Sequence, residues 1–341
     1  MTTTMRAAYL PGNRTVDLKD VPVPTPGHGQ VLLRMRASTI CGSDLRAIYR
    51  EHLGTGPEAY QDVVGGHEPS GEVVAVGPGV KERAVGDRVV VYHISGCGLC
   101  EECRKGYQIS CTSPMRAAYG WQRDGGHADF LLAEEADLLL LPDNLTFLDG
   151  ACVACGFGTA YEALCRLDVS GRDRLLVVGL GPVGLAAGLL ARAMGVTEVI
   201  GSDPSPERRQ IAERLGAVTT QVDESLPVEQ VGADASVDCS GAGAGQLAAL
   251  RGTRRWGRVA LVGEGAELTV DVSEAIIHRQ LTLHGSWVSS TVRMAELLDR
   301  LSRWELHPSV VVTDTFGIES AADAYALADS GRTGKVGITW D

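Results

Sequence analysis

Over residues 1–150 the apolar positions fall in short, Val-rich runs interrupted by Gly and Pro. QVLLRMRAS, GEVVAVG and DRVVVYH have the length and β-branched content of strands, and PTPGHG and GPGV carry turn residues. This half is expected to be strand-dominated, with longer loops around residues 45–65 and 95–125. Near residue 157 the rhythm changes. GTAYEALCRL reads as helix, RLLVVG as a buried strand and PVGLAAGLLARAMG as helix. EVIGSD, SPERRQIAERLG, ASVDCSG and GRVALVG continue as strand, helix, strand and strand. Such alternation predicts an α/β unit with a parallel sheet covered by helices on both faces. Beyond residue 289, VRMAELLDRLSRW and ESAADAYALAD read as helices and KVGITW as a closing strand.

The length of 341 residues suits two domains, and 44% hydrophobic residues suffice for their cores. A net charge of -12 argues against nucleic acid as a partner, because phosphate binding needs a clustered basic surface. No run of 18 apolar residues predicts a membrane span, and the N-terminus MTTTMRAAYLPGNRTV lacks an apolar signal core, so a cytoplasmic protein is expected. In that reducing setting the nine cysteines are metal ligands or core residues rather than disulfides.

Four of them, Cys97, Cys100, Cys103 and Cys111, have the spacing Cys-x2-Cys-x2-Cys-x7-Cys. Four thiolates this close suit one tetrahedral Zn²⁺ in a closed shell, which leaves no open position for a substrate. A second motif, Gly179-x-Gly181-x-x-Gly184, lies between an apolar strand and a helical pattern, the context a dinucleotide-binding turn requires. The first glycine permits the tight turn, the second lets the backbone approach a pyrophosphate, and the third allows close helix–strand contact. Asp203 follows Gly184 by 19 residues (203 − 184) at the end of the next strand. A carboxylate there accepts from ribose hydroxyls and repels a 2′-phosphate, which favours NAD over NADP. Arg208 and Arg209 could reach the same end of the cofactor and keep NADP as the minority reading. Cys41 in STICGSD, His67 in VVGGHEPSG and Cys155 in ACVACGFG supply one imidazole and two thiolates, a plausible three-ligand zinc shell. Taken alone, each is more often a core residue than a ligand, and Ser43 can be read as a turn residue and Asp44 as a helix N-cap.

With STICGSD, GGHEPSGEVVAVGPGV, the four-cysteine stretch, CGFGTAYEAL and VVGLGPVG with its downstream aspartate, essentially the whole chain resembles the zinc-dependent medium-chain alcohol dehydrogenase family, which includes polyol (sorbitol) dehydrogenases and threonine dehydrogenase. The resemblance implies a GroES-like catalytic domain over residues 1–156 with a structural zinc lobe at about 95–113. It further implies a Rossmann NAD-binding domain over 157–288 and a return to the catalytic domain over 289–341, with the active site in the cleft between domains. It makes Cys41, His67 and Cys155 ligands of a catalytic zinc, and Glu68 a carboxylate that can join that shell during ligand exchange. The four-cysteine stretch then holds a second, structural zinc. It makes Asp44 the acid that orients His67, Ser43 the hydroxyl that takes the substrate's proton, and Thr159 a hydroxyl near the nicotinamide. Gly179, Gly181, Pro182, Val183, Gly184, Asp203 and Arg208 then contact the cofactor.

Two positions depart from the family pattern. Arg46 stands where many members carry a relay histidine, and arginine is a poor proton acceptor. His127 stands where an aromatic or aliphatic residue is usual. The expected reaction is reversible hydride transfer between a secondary alcohol and NAD. The polar stretch LRAIYREHLGTGPEAYQD and the expected wall residues Tyr119, Trp121 and Trp287 favour a polyol, sugar or cyclitol. Nonpolar secondary alcohols and amino alcohols are alternatives. A zinc-free NADPH quinone or enone reductase and a non-catalytic protein of the same fold are remoter rivals. His93 is a further candidate to line the cleft, and a homodimer or homotetramer is expected by resemblance.

Overall fold

The computed structural model describes residues 3–223 and 225–341. The chain divides into two compact units, Met1–Cys155 with Ser290–Asp341, and Gly156–Ser289. The boundaries lie one residue before and one residue after those expected. The first falls inside an unbroken helical run: Phe147–Cys152, a π-helical turn Val153–Phe157 and Gly158–Arg166.

In the first unit the main sheet runs in the order Val312–Phe316, Lys335–Thr339, Gln30–Thr39, Pro69–Val76, Arg88–Val91, Leu138–Leu140, with Phe130–Glu134 also paired to Gln30–Thr39. All pairs are antiparallel except the C-terminal two strands. Gln30–Thr39 is buried along most of its length because both faces are covered. Val31, Leu33 and Met35 pack with Val73, Val89 and Leu131 in one cluster. A second cluster joins Ile40 and Ile48 to Val336, Ile338 and Tyr325. The C-terminal segment is therefore part of this unit's core, as the pairing Gly337↔Thr39 requires.

This ladder places chemistry at one end of the sheet. Ser38 pairs with Pro69, so the end of one strand lies beside the start of the next. Cys41 is two residues past the first strand and His67 two residues before the second. The helix Phe147–Cys152 starts at a capping box, in which Thr146 Oγ1 accepts from Asp149 N and Asp149 accepts from Thr146 N. Asp149 is fully buried and also accepts from Ser309 N–H at 2.8 Å, which ties the helix to the C-terminal segment.

The second unit is a six-stranded parallel sheet in the order Thr220–Gln221, Glu198–Ser202, Arg174–Val178, Ala233–Asp238, Thr253–Leu261, Thr282–Gly285. This is the doubly wound dinucleotide-binding order, with its switch point beside Arg174–Val178. The helices Pro182–Ala193 and Pro206–Arg214 lie where the sequence pattern expects them. Gly243–Gly252 is a further helix that the pattern did not reveal. Its glycines resemble turn punctuation, yet parallel neighbours need a crossover, and burial of Ala249 and Leu250 under the sheet supplies the missing drive. Among the described residues no helix is long and apolar enough to cross a membrane.

Candidate active site

Cys41, His67, Glu68 and Cys155 converge in the first unit, with one donor atom from each within 4.8 Å of the others. The sulfurs of Cys41 and Cys155 are 4.0 Å apart. Two thiolates on one tetrahedral zinc, each about 2.3 Å from it, lie about 3.8 Å apart, so the donor set fits that ion. His67 Nδ1 is 2.7 Å from Asp44 Oδ1. A carboxylate only accepts, so Nδ1 carries the proton and Nε2 is left as the donor for a metal. Asp44 is fully buried, and its other oxygen accepts from Cys41 N–H at 2.9 Å. One carboxylate thus orients two of the donors. Burial opposes charge on His67, but Asp44 outweighs it and holds the imidazole pKa well above the ordinary value. Cys41 and Cys155 share a proton, which drives the Cys41 thiol well down and the Cys155 thiol well up. Ser43 Oγ lies 3.5 Å from His67 Nε2 and is the hydroxyl next to the donor set. Cys155 sits within the π-helical turn, not at a helix start as expected, and such turns are frequent at functional sites.

Behind the cluster lies a pair that sequence reasoning missed. Lys335 Nζ donates to Glu68 at 2.7 Å, and Thr39 Oγ1 donates to the same carboxylate at 2.6 Å. All three side chains are buried. Burial alone lowers the pKa of a lysine, but Glu68 and the neighbouring thiols reverse this and keep Lys335 protonated. The available signal was a lysine opening the apolar strand KVGITW. His93 is also buried, its ring centroid 5.2 Å from that of His67. Its Nδ1–H donates to Ala154 O at 2.7 Å, and burial pushes its pKa down to about 3, so Nε2 is a bare acceptor. Trp121 meets His67 edge-on at 6.5 Å.

Tyr119 corrects an expectation. It is fully buried in the sheet core, where its hydroxyl donates to Asp137 at 2.8 Å and accepts from Glu134 N–H at 3.0 Å. It therefore has no free face or donor to offer a substrate. Trp287 belongs to the second unit and is 54% exposed. His127 is fully buried, in keeping with a structural substitution.

Cys97, Cys100, Cys103 and Cys111 form a separate group within 4.8 Å of one another. The sulfurs of Cys97 and Cys103 are 4.0 Å apart, again near a tetrahedral edge. Leu99 N–H and Cys100 N–H donate to Cys97 Sγ, and Cys97 N–H to Cys111 Sγ. Backbone N–H donation from Cys103 pulls the Cys100 thiol down to about 6, while burial pushes Cys103 up to about 12. A Cβ on Gly96 would stand 2.7 Å from Cys103 Sγ, so the loop needs that glycine. The short ladder Ile94–Ser95 with Ala117–Ala118 closes the lobe.

In the second unit, Gly179 has φ +85° and a Cβ there would meet Ser240 N at 2.7 Å. A Cβ on Gly184 would meet Gly179 O at 1.8 Å, whereas one on Gly181 would find nothing closer than Arg208 Nη1 at 3.9 Å. The turn is thus closed on its packed side and open at Gly181. Gly181 is the N-cap of Pro182–Ala193 and offers no side chain to its first N–H groups, including that of Val183. Asp203 accepts from Leu180 N–H at 2.7 Å and Ser205 N–H at 2.8 Å, with Arg208 Nη1 3.8 Å away. Arg209 donates to Asp203 O at 2.6 Å. Thr159 lies in the helix Gly158–Arg166.

Residues 27–143 match the Alcohol dehydrogenase GroES-like domain and residues 182–303 the Zinc-binding dehydrogenase domain. The chain is 51% identical over 349 aligned residues to the uncharacterized zinc-type alcohol dehydrogenase-like protein YphC of Escherichia coli strain K12, covering 99% of each. It is 31% identical to an L-threonine 3-dehydrogenase of Pyrococcus horikoshii, covering 94% of each. The structure of acetophenone reductase from Geotrichum candidum in complex with NAD superposes with a TM-score of 0.87 at 28% identity, covering 100% of this chain and 98% of that one. The two domains in this order and the near full-length relatives lead to one assignment: the chain belongs to the zinc-dependent medium-chain alcohol dehydrogenase family and is an oxidoreductase of that family's zinc and NAD(P) chemistry.

Proposed function

We propose that the protein interconverts a secondary alcohol and its ketone, with Cys41, His67 and Cys155 holding a catalytic zinc and the four-cysteine lobe a structural one. The observation that carries this reading is the Asp44–His67 pair at 2.7 Å, with a hydroxyl, Ser43 Oγ, 3.5 Å from the Nε2 it exposes. Zinc supplies Lewis-acid polarisation of the substrate oxygen and lowers the pKa of an alcohol, while NAD supplies the hydride acceptor. The chain's own part is to fix the donors and to move one proton. Asp44 sets the His67 tautomer and the Cys41 backbone, and Ser43 Oγ accepts the alcohol's proton as its own hydroxyl proton passes on to solvent water. Arg46 does not extend the relay, because a guanidinium stays charged. Gly179, Gly181, Pro182, Val183 and Gly184 would hold the pyrophosphate of the cofactor, Thr159 would serve its nicotinamide, and Asp203 and Arg208 would serve its adenosine ribose, with NAD favoured over NADP. Glu68, tied to Lys335 and Thr39, is held back as an alternative donor.

A polyol, sugar or cyclitol is the substrate class best supported. Near His67 the walls combine the indole of Trp121 with the bare Nε2 of His93, an acceptor suited to a second hydroxyl. The amino alcohol named in the threonine dehydrogenase relatives supports a second reading, since the same acceptor suits an ammonium group. A screen of NAD reduction across polyols, sugars, cyclitols, simple secondary alcohols and threonine tests both. Preference for a plain alkyl alcohol would overturn them. We further infer a homodimer or homotetramer, with the edge strand Thr282–Gly285 as the surface to pair, which light scattering would measure.

A further inference from the structure

His127 and Tyr325 are fully buried, and neither belongs to the donor set. The backbone around His127 is zipped onto the segment that carries His67. Gly125 N donates to Val64 O at 2.8 Å, Gly126 N to Gly66 O at 2.7 Å and His127 N to Gly65 O at 2.9 Å. The imidazole then lies flat against Gly66, whose φ is +88° and where an added Cβ would stand 2.4 Å from His127 Nδ1. At its far side, His127 Nε2 and the Tyr325 hydroxyl share a hydrogen bond at 3.0 Å, with the rings edge to face. Tyr325 packs in turn on Tyr49 at 5.1 Å between centroids. Tyr49 ends the π-helical turn Leu45–Tyr49 that follows directly from Gly42–Asp44.

This chain of contacts touches both ends of the Asp44–His67 hydrogen bond. One end is held through Gly66, the residue before His67. The other is held through Tyr49 and the turn that begins at Asp44. Packing alone does not account for an imidazole here. His127 Nδ1 is buried and has no hydrogen-bond partner among the described residues, a cost that a phenyl ring of similar size would avoid. What a phenyl ring cannot do is bond to Tyr325 and so fix its own plane against Gly66.

We propose that His127 and Tyr325 form a brace of positioning residues that fixes the geometry of the Asp44–His67 pair and thereby the retention of the catalytic metal. The inference rests on the catalytic-zinc reading above. Neither residue belongs to the donor set, and both act through the Asp44–His67 pair.

The test uses the full-length holoenzyme and two conservative variants. Tyr325→Phe removes one hydroxyl and keeps the ring, and His127→Phe keeps the volume. Chelator-driven release of the catalytic zinc is followed by metal analysis, and the visible spectrum is recorded after cobalt replaces that zinc. The expected result is roughly tenfold faster release from the catalytic site in both variants, the scale seen when the partner of a metal ligand is lost. The cobalt spectrum should shift, and the four-cysteine metal should be retained as before. Wild-type release rates and an unchanged spectrum in Tyr325→Phe, whatever happens to its unfolding midpoint, overturn the brace and leave a packing role. If the unmutated chain holds metal only at the four-cysteine site, the underlying reading fails, and the brace with it.

Discussion

Asp44→Asn is the most informative single change in the donor set. The side chain keeps its size, but one oxygen becomes an NH2 group. Asp44 now accepts from His67 Nδ1–H at 2.7 Å with one oxygen and from Cys41 N–H at 2.9 Å with the other. Asparagine has a single accepting atom, so it cannot serve both partners as the two carboxylate oxygens do. If its oxygen faces Cys41, its NH2 faces His67, Nδ1 must become the acceptor, and the proton moves to Nε2, where the metal should bind. If the oxygen faces His67, the NH2 confronts the Cys41 N–H with no acceptor between them. The loss of one charge-assisted hydrogen bond costs about 1.5–3 kcal/mol. Loss of a ligand's oriented partner costs about 10–100-fold in metal affinity, which is about 1.4–2.7 kcal/mol. Both routes point to about 2 kcal/mol, or roughly 30-fold weaker zinc at this site. The assay is competition with a calibrated chelator, with the four-cysteine zinc as internal control. A change below about threefold would refute the claim that Asp44 sets the His67 tautomer.

Lys335→Met should destabilise by about 3–5 kcal/mol in urea unfolding, because it strands the buried Glu68 carboxylate. The double variant with Glu68→Gln should recover most of the loss, and no recovery would contradict a paired charge. Burial holds the His127 pKa down at about 4, so the unfolded chain binds the extra proton between about 6.5 and 4. Stability from this group is complete above about 6.5 and is lost as pH falls toward 4, by at most about 3 kcal/mol. His127→Phe should flatten that acid limb, and an unchanged slope would sink the assignment. Asp203→Ala should relax the preference for NAD over NADP in kcat/KM ratios. An unaltered ratio would remove Asp203 from the adenosine end.

Much of the site was legible because its signals are local. The spacing of Cys97, Cys100, Cys103 and Cys111 and the pattern Gly179-x-Gly181-x-x-Gly184 lie within short contiguous stretches, where spacing alone limits geometry. The parts that escaped depend on distant pairing. Lys335 reaches Glu68 across 267 positions because a C-terminal strand joins the sheet beside Gln30–Thr39, which no local pattern announces. Tyr119 was expected in the wall as a stacking face with a donor, but the sheet draws it inward to Asp137. The helix Gly243–Gly252 was masked by its own glycines, since tertiary burial rather than propensity holds it.

The central claim is that the Cys41–His67–Cys155 cluster carries the reaction. Its most direct test is the rate of NADH formation from a polyol by the native chain and by Cys41→Ser, with fold and NAD binding checked in both. The account predicts turnover in the native chain and its collapse in the variant, with NAD binding retained. Near-normal turnover in Cys41→Ser would contradict it.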